Sequence, residues 1–196
     1  SDVVALGPGL SRNKETRELV WKIVENVNRP ILIDADGLNA LSENVKILKR
    51  KKAALFILTP HAGELSRIIG LDARAIEAER VSVARTVARD FGIVLVLKGA
   101  PTVVAGPDGR VFVNPTGNPG MATAGAGDIL SGIITGLWAQ GLSALNAAIC
   151  GVYLHGLAGD LAKNQFGEYS LVAMDIQDFF PAAVLELSRK SGEIRN

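Results

Sequence analysis

The sequence contains a single cysteine, Cys150, among 196 residues. One thiol excludes a framework of internal disulfides and favours a reducing compartment, so we expect a cytoplasmic protein. An excess of either charge is also missing, because 21 lysines and arginines stand against 20 aspartates and glutamates, giving a formal net charge of +1. This balance argues against a nucleic-acid partner.

The sequence also lacks an unbroken apolar run long enough for a membrane span. Hydrophobic residues make up 48% of the chain and the mean hydropathy is +0.25. The longest uncharged stretch, Ile129–Gly159, is nevertheless interrupted by Gln140, Gly141, Ser143 and Asn146. We expect two buried helices joined by a turn, no membrane contact, and enough uncharged helix surface to predict a homo-oligomer.

Linkers, internal repeats and low-complexity tracts are absent, and the length suits one domain with a substantial core. The chain starts at Ser1 without a signal-peptide pattern or an initiator methionine. We therefore expect it to be a fragment or a processed piece of a longer protein.

The stretch Asn114–Leu130 reads NPTGNPGMATAGAGDIL and leads directly into an apolar segment. Glycines let backbone amides approach a ligand, and the first turn of a helix leaves several N–H groups unpaired. Gly125, Ala126 and Gly127 are therefore predicted to form an anion hole for phosphate. The carboxylate of Asp128 does not suit a phosphate ligand, because it would repel the phosphate. It could instead act as a base that takes a proton from a hydroxyl while the phosphate is held beside it. The alternative is a glycine turn in which Asp128 is only a first-turn helix charge.

Short apolar runs alternate with helical patterns, and four of the runs end in glycine-bearing or polar turns. The strand-like runs are Asp2–Leu6, Ile31–Ile33, Leu55–Leu58 and Ile93–Leu97, and the turns are Gly7–Leu10, Asp34–Leu41, Thr59–Leu65 and Lys98–Thr102. Gly106–Gly109 predicts a hairpin after them. This order predicts an α/β fold with a mostly parallel sheet and helices on both faces. Ligands then bind beyond the carboxyl ends of the strands, which indicates an enzyme or a nucleotide-binding protein.

Helical periodicity and capping residues predict the bounds of five of the helices around this sheet. They run from Ser11 or Asn13 to Val27, over Ile76–Phe91, Ile129–Trp138 and Ala144–Lys163, and from near Asp175 toward Arg189 with Pro181 in or near the first turns.

Asp34 and Asp36 follow the second strand, and two interpretations of this pair remain open. Strand alternation would place both carboxylates on one side, where they could hold Mg²⁺ or its water shell. Alternatively, one carboxylate caps the following helix and the other faces solvent.

Two histidines and one basic cluster are the remaining candidates for ligand-binding residues. His61 follows a strand and is expected to face the ligand crevice, whereas His155 lies within an apolar helix and is expected to be a satisfied core or interface group. The cluster Lys46–Lys52 could steer anionic substrates, but a solvated helix end is the favoured interpretation.

Five motifs occur in order along nearly the whole chain. They are GPGL at Gly7–Leu10, DADGLNAL at Asp34–Leu41, TPHAGEL at Thr59–Leu65, LKGAPTVV at Leu97–Val104 and NPTGNPGMATAGAGDILSGII at Asn114–Ile134. Together they resemble the ADP- or ATP-dependent NAD(P)H-hydrate dehydratases, which have a three-layer ribokinase-like fold. GAGD alone is shared with several small-molecule kinases, whereas TPHAGEL together with NPTGNPGMATAGAGD is much more specific.

The resemblance implies particular ligands and residues. The hydrated cofactor, NADHX or NADPHX, would bind near Gly9, His61 and Asp128. AMP, ADP or ATP would contact Lys98, Gly99, Ala100, Pro101, Thr102 and Gly127. The implied chemistry is phosphorylation of the hydrate hydroxyl followed by elimination of phosphate, with Mg²⁺ bridging the nucleotide phosphates mostly through water and without a firm protein ligand.

The resemblance also implies a wider context. Family domains are often the C-terminal part of a protein whose N-terminal domain is an NAD(P)H-hydrate epimerase. They normally start with an earlier strand–turn–helix region, so we expect residues 1–196 to be the domain without its N-terminal part. Whether this chain is active alone stays open.

Three other functions remain as alternatives. One is a kinase of the same fold that phosphorylates a vitamin precursor, and another is a non-catalytic nucleotide-binding module. An NAD-dependent oxidoreductase is the weakest, because GPGL lacks the third glycine of a G-x-G-x-x-G motif.

Overall fold

A single six-stranded sheet organises the computed structural model, which describes residues 1–49 and 55–193, with side chains through residue 189. The strands are β1 (Val4–Leu6), β2 (Ile31–Ile33), β3 (Phe56–Leu58), β4 (Val94–Leu97), β5 (Val103–Ala105) and β6 (Val111–Val113). Their order in space follows their order in sequence. β1 to β4 are parallel, and β5 and β6 add an antiparallel hairpin, so the predicted mostly parallel sheet is confirmed.

Eight α-helices surround the sheet in the described residues. They are α1 (Lys14–Asn26), α2 (Ala35–Ser42), α3 (Ala62–Ile69), α4 (Ala73–Ala78), α5 (Arg80–Phe91), α6 (Ala126–Ala139), α7 (Ala144–Phe166) and α8 (Ala173–Glu193), with short 3-10 turns at Val45–Lys49 and Pro119–Met121. Asn13 caps α1, since its side chain accepts a hydrogen bond from Thr16 N. Of the predicted basic cluster, Arg50, Lys51 and Lys52 lie outside the described residues.

The two faces of the sheet bury different side chains because neighbouring residues of a strand point in opposite directions. In β2, Ile31 and Ile33 pack with residues of α1, α2, α3 and α5. Leu32, between them, packs on the other face with residues of α6 and α7. These two cores give the three-layer arrangement, helices on sheet on helices, that the sequence predicts.

The predicted helix Ile76–Phe91 is wrong as a single element. It is divided into α4 and α5 at Glu79, whose backbone leaves the helical region with φ −122° and ψ 37°. The break places buried Arg80 at the start of α5, where its guanidinium reaches the carbonyl oxygens of Leu97 and Lys98. A local periodicity gives no sign of such a contact.

The packing of α8 against α7 explains the apolar character of α7. Leu154, Leu157 and Ala158 pack in one cluster with Ile176 and Ala183 of α8. Much of the uncharged surface behind the homo-oligomer prediction is therefore buried within the chain, and the oligomer stays a prediction. Across residues 1–49 and 55–193, every helix falls short of the apolar length that a bilayer span requires.

α8 begins at Ala173, which confirms the predicted start near Asp175. Val172 N donates to Asp175 Oδ2 at 2.8 Å, so Asp175 lies inside the first turn. Pro181 consequently lies well inside α8 and not near its first turns.

Candidate functional site

The carboxyl ends of the parallel strands meet at one edge of the sheet, as the sequence predicts. Asp34 N donates to Leu6 O at 3.0 Å, Thr59 N to Ile33 O at 3.2 Å and Lys98 N to Pro60 O at 2.8 Å. These bonds continue the parallel pairing one or two residues beyond the strands. The strand-end motifs are therefore neighbours in space although far apart in sequence.

A buried carboxylate, Asp34, lies at the centre of this edge. It is 1% exposed, and its Oδ1 lies 2.7 Å from Lys98 Nζ. Its Oδ2 accepts a hydrogen bond from Ser131 Oγ at 2.8 Å. Three elements, the end of β2, the end of β4 and α6, are thus connected through one side chain. Sequence reasoning missed Ser131, because nothing in its local context distinguishes it from other residues of α6.

The first interpretation of Asp34 and Asp36, in which both carboxylates lie on one side of the strand, does not match the structure. The strand ends at Ile33 and α2 begins at Ala35, so strand alternation does not extend to Asp36. Asp36 instead contacts Arg12 Nε at 3.2 Å and accepts from Ser11 N at 3.1 Å. The capping alternative also fails, because Asp34 occupies the N-cap position without making a side-chain capping bond.

His61 and Glu64 form a capping box at the start of α3. His61 Nδ1 accepts hydrogen bonds from Gly63 N at 3.0 Å and Glu64 N at 3.3 Å, and Glu64 Oε2 accepts from His61 N at 2.9 Å. Glu64 Oε2 also lies 3.8 Å from Lys98 Nζ. The His61 side chain remains 55% exposed and faces a cavity of about 520 Å³. Its substrate-binding role stays a prediction.

A larger cavity, of about 750 Å³, also has Lys98 in its lining. The turn Lys98–Thr102 forms one part of its wall, and the loop of residues 114–122 forms another. Ala126 and Gly127 at the start of α6, with part of α7, complete the lining. All six residues that the resemblance assigns to the nucleotide line this cavity: Lys98, Gly99, Ala100, Pro101, Thr102 and Gly127. Lys98 and Gly99 line both cavities.

Hydrogen bonds from the Arg80 guanidinium hold the turn after β4. Its Nη2 donates to Leu97 O at 2.9 Å and to Lys98 O at 3.0 Å, and its Nε donates to Pro101 O at 3.1 Å. A side chain at Gly99 would meet this guanidinium, because a Cβ there would lie 2.6 Å from Nη2. Arg80 was missed at the sequence level since its acceptors lie 17 to 21 residues away.

The predicted anion hole at the start of α6 is wrong in one member. Ala126 N already donates to Thr123 O at 3.3 Å, so its amide belongs to the turn. For Gly125 and Gly127 the amides have no main-chain acceptor among the described residues. Gly127 lies directly over the charged pair, because a Cβ there would be 3.5 Å from Lys98 Nζ and 3.9 Å from Asp34 Oδ2.

Asp128 follows Gly127 in the first turn of α6 and is exposed. Its carboxylate has no hydrogen-bond or ion-pair partner within residues 1–49 and 55–189, which leaves it available to a ligand. Gly9 lies in the turn after β1 with φ +71°. Like Asp128, it lines neither of the two cavities.

His155 is both the satisfied group that the sequence predicts and a cavity residue that it missed. Nε2 lies 3.0 Å from Ala126 O, and the ring lines the larger cavity. Burial lowers the pKa of His155 to about 4, so the imidazole is neutral near pH 7. Because a carbonyl oxygen only accepts, Nε2 carries the hydrogen and donates it to the first turn of α6.

The chain matches known proteins over nearly its whole length. A family model described as NAD(P)H-hydrate dehydratase matches residues 1–182. The bifunctional NAD(P)H-hydrate repair enzyme of Moorella thermoacetica is 49% identical over 189 residues, which cover 96% of this chain and 36% of that protein. The chain therefore spans about a third of the length of this curated relative.

Two solved structures share the fold. The ADP/ATP-dependent NAD(P)H-hydrate dehydratase of Bacillus subtilis, co-crystallised with ATP/Mg²⁺, superposes with a TM-score of 0.83 at 32% identity, covering 94% of this chain and 64% of that one. A ribokinase-like superfamily protein of Enterococcus faecalis superposes with a TM-score of 0.76 at 27% identity, covering 93% of this chain and 63% of that one. The fold is ribokinase-like, and the chain belongs to the NAD(P)H-hydrate dehydratase family.

Proposed function

We propose that this chain is a nucleotide-dependent dehydratase that restores NADH and NADPH from their hydrates, NADHX and NADPHX, at the expense of ADP or ATP. The observation that carries the proposal is the shared wall at Lys98 and Gly99. It joins a cavity lined by the predicted nucleotide residues to a second cavity lined by His61. A phosphoryl donor and its acceptor can therefore meet beside one cation.

The larger cavity suits an adenine nucleotide. Lys98 carries the only fixed positive charge among the described residues that line it. The phosphate end of the nucleotide is therefore expected near Lys98 and Gly127, where the ammonium and a free amide stabilise negative charge. Leu130 and Val152 provide apolar surface for the base and ribose. The hydrate would then occupy the cavity beside His61.

The reaction follows from this placement. The hydrate hydroxyl attacks the terminal phosphorus of the nucleotide while Asp128 accepts its proton, and ATP leaves as ADP, or ADP as AMP. The carbon–oxygen bond of the phosphorylated hydrate then breaks, phosphate departs with that oxygen, and a proton leaves the neighbouring carbon. The double bond of the reduced nicotinamide is restored.

The described residues do not provide a complete set of protein ligands for Mg²⁺ at this site. Among the described residues, no group of three histidine, cysteine, aspartate or glutamate side chains could hold a metal ion. Asp34 is engaged by Lys98 and Ser131, and Asp36 by Arg12. We expect Mg²⁺ to be coordinated by nucleotide phosphate oxygens and water, as it commonly is in phosphoryl-transfer sites.

The wider context of the protein belongs to the same proposal. We expect an NAD(P)H-hydrate epimerase unit as a fused or separate partner, because the chain spans about a third of a relative named bifunctional. A homo-oligomer and a cytoplasmic location are the other expectations. Light scattering on the purified protein tests the first of these, and a clean monomer would contradict it.

The test of the function is a spectroscopic assay. NADHX or NADPHX is mixed with the protein, Mg²⁺ and either ADP or ATP, and absorbance is followed at about 340 nm, where the reduced nicotinamide ring absorbs. A nucleotide-dependent rise with one phosphate released per hydrate supports the proposal. A phosphorylated product without this rise would indicate a kinase, and nucleotide binding without any turnover would indicate a non-catalytic module.

A further inference from the structure

We propose that Asp160 of α7 is a positioning residue for the nucleotide, because it fixes the loop of residues 114–122 that forms one wall of the larger cavity. This role rests on the proposed function, since it assumes that the cavity takes an adenine nucleotide.

Both oxygens of the Asp160 carboxylate are bonded to the loop. Oδ2 accepts a hydrogen bond from Gly117 N at 2.9 Å, and Oδ1 accepts one from Asn118 Nδ2 at 2.9 Å. Hydrogen bonds to an ionised acceptor are roughly twice as strong as those between neutral groups. This one carboxylate therefore fixes two consecutive residues of the loop.

Further hydrogen bonds fix the neighbouring residues of the loop. Asn118 Oδ1 accepts from Gly120 N at 3.1 Å and so caps the 3-10 turn Pro119–Met121. Thr116 Oγ1 donates to Tyr153 O of α7 at 2.9 Å. The bonds of Asp160 thus set the orientation of the Asn118 amide, and this amide sets the turn that follows.

The surface of α7 is shaped to receive this loop. A Cβ at Gly156 would lie 2.2 Å from Thr116 Oγ1, and a Cβ at Gly159 would lie 2.3 Å from Met121 Sδ. Two glycines therefore let the loop lie directly on the helix, and Asp160 follows the second of them. We call Gly156, Gly159 and Asp160 the loop seat.

The loop seat affects nucleotide binding more than the chemical step. Residues 114–119, 121 and 122 line the cavity. Asn114 N still donates to Thr102 O at 2.9 Å, and beyond Asn114 no β-strand pairing holds the described loop in place. Lys98, Gly127 and Asp128 are held by other elements, the end of β4 and the start of α6. A displaced loop would therefore widen the nucleotide cavity while leaving the reacting groups in place.

An exchange of the two side chains provides a sharp test. In Asp160→Asn, one donor of the loop is left facing another donor, because an amide offers a single acceptor oxygen. In Asn118→Asp, two carboxylates face each other. The double variant Asn118→Asp/Asp160→Asn restores both bonds, because the amide introduced on α7 accepts from Gly117 N and donates to the carboxylate introduced in the loop. The double variant also keeps the net charge of the wild type.

We expect each single variant to raise the Kd for ADP, measured calorimetrically, by about 10-fold, and the double variant to return it to within about 3-fold of wild type. In Asp160→Asn, turnover at saturating nucleotide should change by less than about 3-fold. Amide hydrogen exchange should rise within residues 114–122 of the single variants and fall again in the double variant. Asp108→Asn, the same change in the exposed hairpin turn, serves as the control.

Unchanged ADP affinity in Asp160→Asn would overturn the proposal, as would a double variant no better than the worse single variant. A rise in exchange spread over the whole chain would also overturn it, because Asp160 would then be important only for stability. ADP binding and loop exchange need no turnover of the hydrate. A wild type that binds ADP but fails to dehydrate NADHX would therefore refute the proposed function alone.

Discussion

Lys98 Nζ lies 2.7 Å from Oδ1 of Asp34, and this contact joins the end of β4 to the end of β2 between the two cavities. The carboxylate is 1% exposed, and its other oxygen is taken by Ser131. The ammonium is therefore fixed beneath Gly127 before any ligand arrives. A preorganised cation of this kind stabilises a transferring phosphoryl group without first having to move.

Removal of Lys98 should destabilise the fold. Lys98→Met leaves Asp34 buried without its counter-ion, which typically costs about 3 kcal/mol or more in the free energy of unfolding. Urea denaturation monitored by circular dichroism measures this loss. The double variant Asp34→Asn/Lys98→Met removes the buried Asp34 charge and should recover part of this loss, while Glu64, 3.8 Å from Lys98 Nζ in the wild type, still lacks the cation. Equal stability of wild type and Lys98→Met would show that the pair is energetically unimportant.

Asp128→Asn should remove the catalytic base while leaving the nucleotide cavity intact. The amide has nearly the same shape but cannot accept the hydroxyl proton, so we expect kcat to fall by about 10²-fold or more. The absorbance assay with saturating hydrate and ADP measures this change. Calorimetry should find the Kd for ADP within about 3-fold of the wild-type value. Undiminished turnover would assign the proton transfer to another group.

The buried imidazole of His155 should make the free energy of unfolding depend on pH. Its pKa is lowered by burial to about 4 in the folded protein, from 6.5 in the unfolded chain. Below pH 6.5 the unfolded state therefore binds more protons, and stability is lost as the pH falls toward 4. Above pH 6.5 both states are neutral and the group contributes nothing to this dependence.

The corresponding experiment compares wild type with His155→Gln, which can still donate to Ala126 O but does not titrate. Between about pH 7 and pH 4.5 the wild type should lose about 2 to 3 kcal/mol more in the free energy of unfolding than the variant. Carboxylates titrate in both proteins, so the difference isolates His155. Parallel pH profiles would contradict the buried neutral state.

Arg80 should control the shape of the turn Lys98–Thr102. Its guanidinium donates to three carbonyl oxygens of this segment and the end of β4, and lysine cannot reproduce that geometry. We therefore expect Arg80→Lys to raise the Kd for ADP by about 10-fold and to lower stability. Calorimetry and thermal unfolding measure the two effects. Arg85→Lys, on the exposed face of the same helix, should leave both unchanged, and equal behaviour of the two variants would contradict this role.

Much of the fold could be predicted because its signals are local. The strands are short apolar runs, and the hairpin at Gly106–Gly109 and the cap at Asn13 depend on residues close in sequence. Where local patterns misled, a distant contact was responsible. α4 and α5 separate at Glu79, and Arg80 next to it is buried against carbonyls of the β4 turn. Asp36 turns toward Arg12 because α2 begins sooner than strand alternation assumes.

The sequence by itself determined the strands, the order of the motifs and the side of the sheet on which they meet, because parallel strands place their carboxyl ends together. It also singled out Lys98, Gly127 and Asp128. Only the tertiary structure decided their partners. Asp34 and Lys98 are 64 residues apart, Asp34 and Ser131 are 97 apart, and Asp160 reaches Asn118 over 42. Local preferences cannot encode such pairs, since a side chain meets its distant partner only after the sheet and its helices have packed.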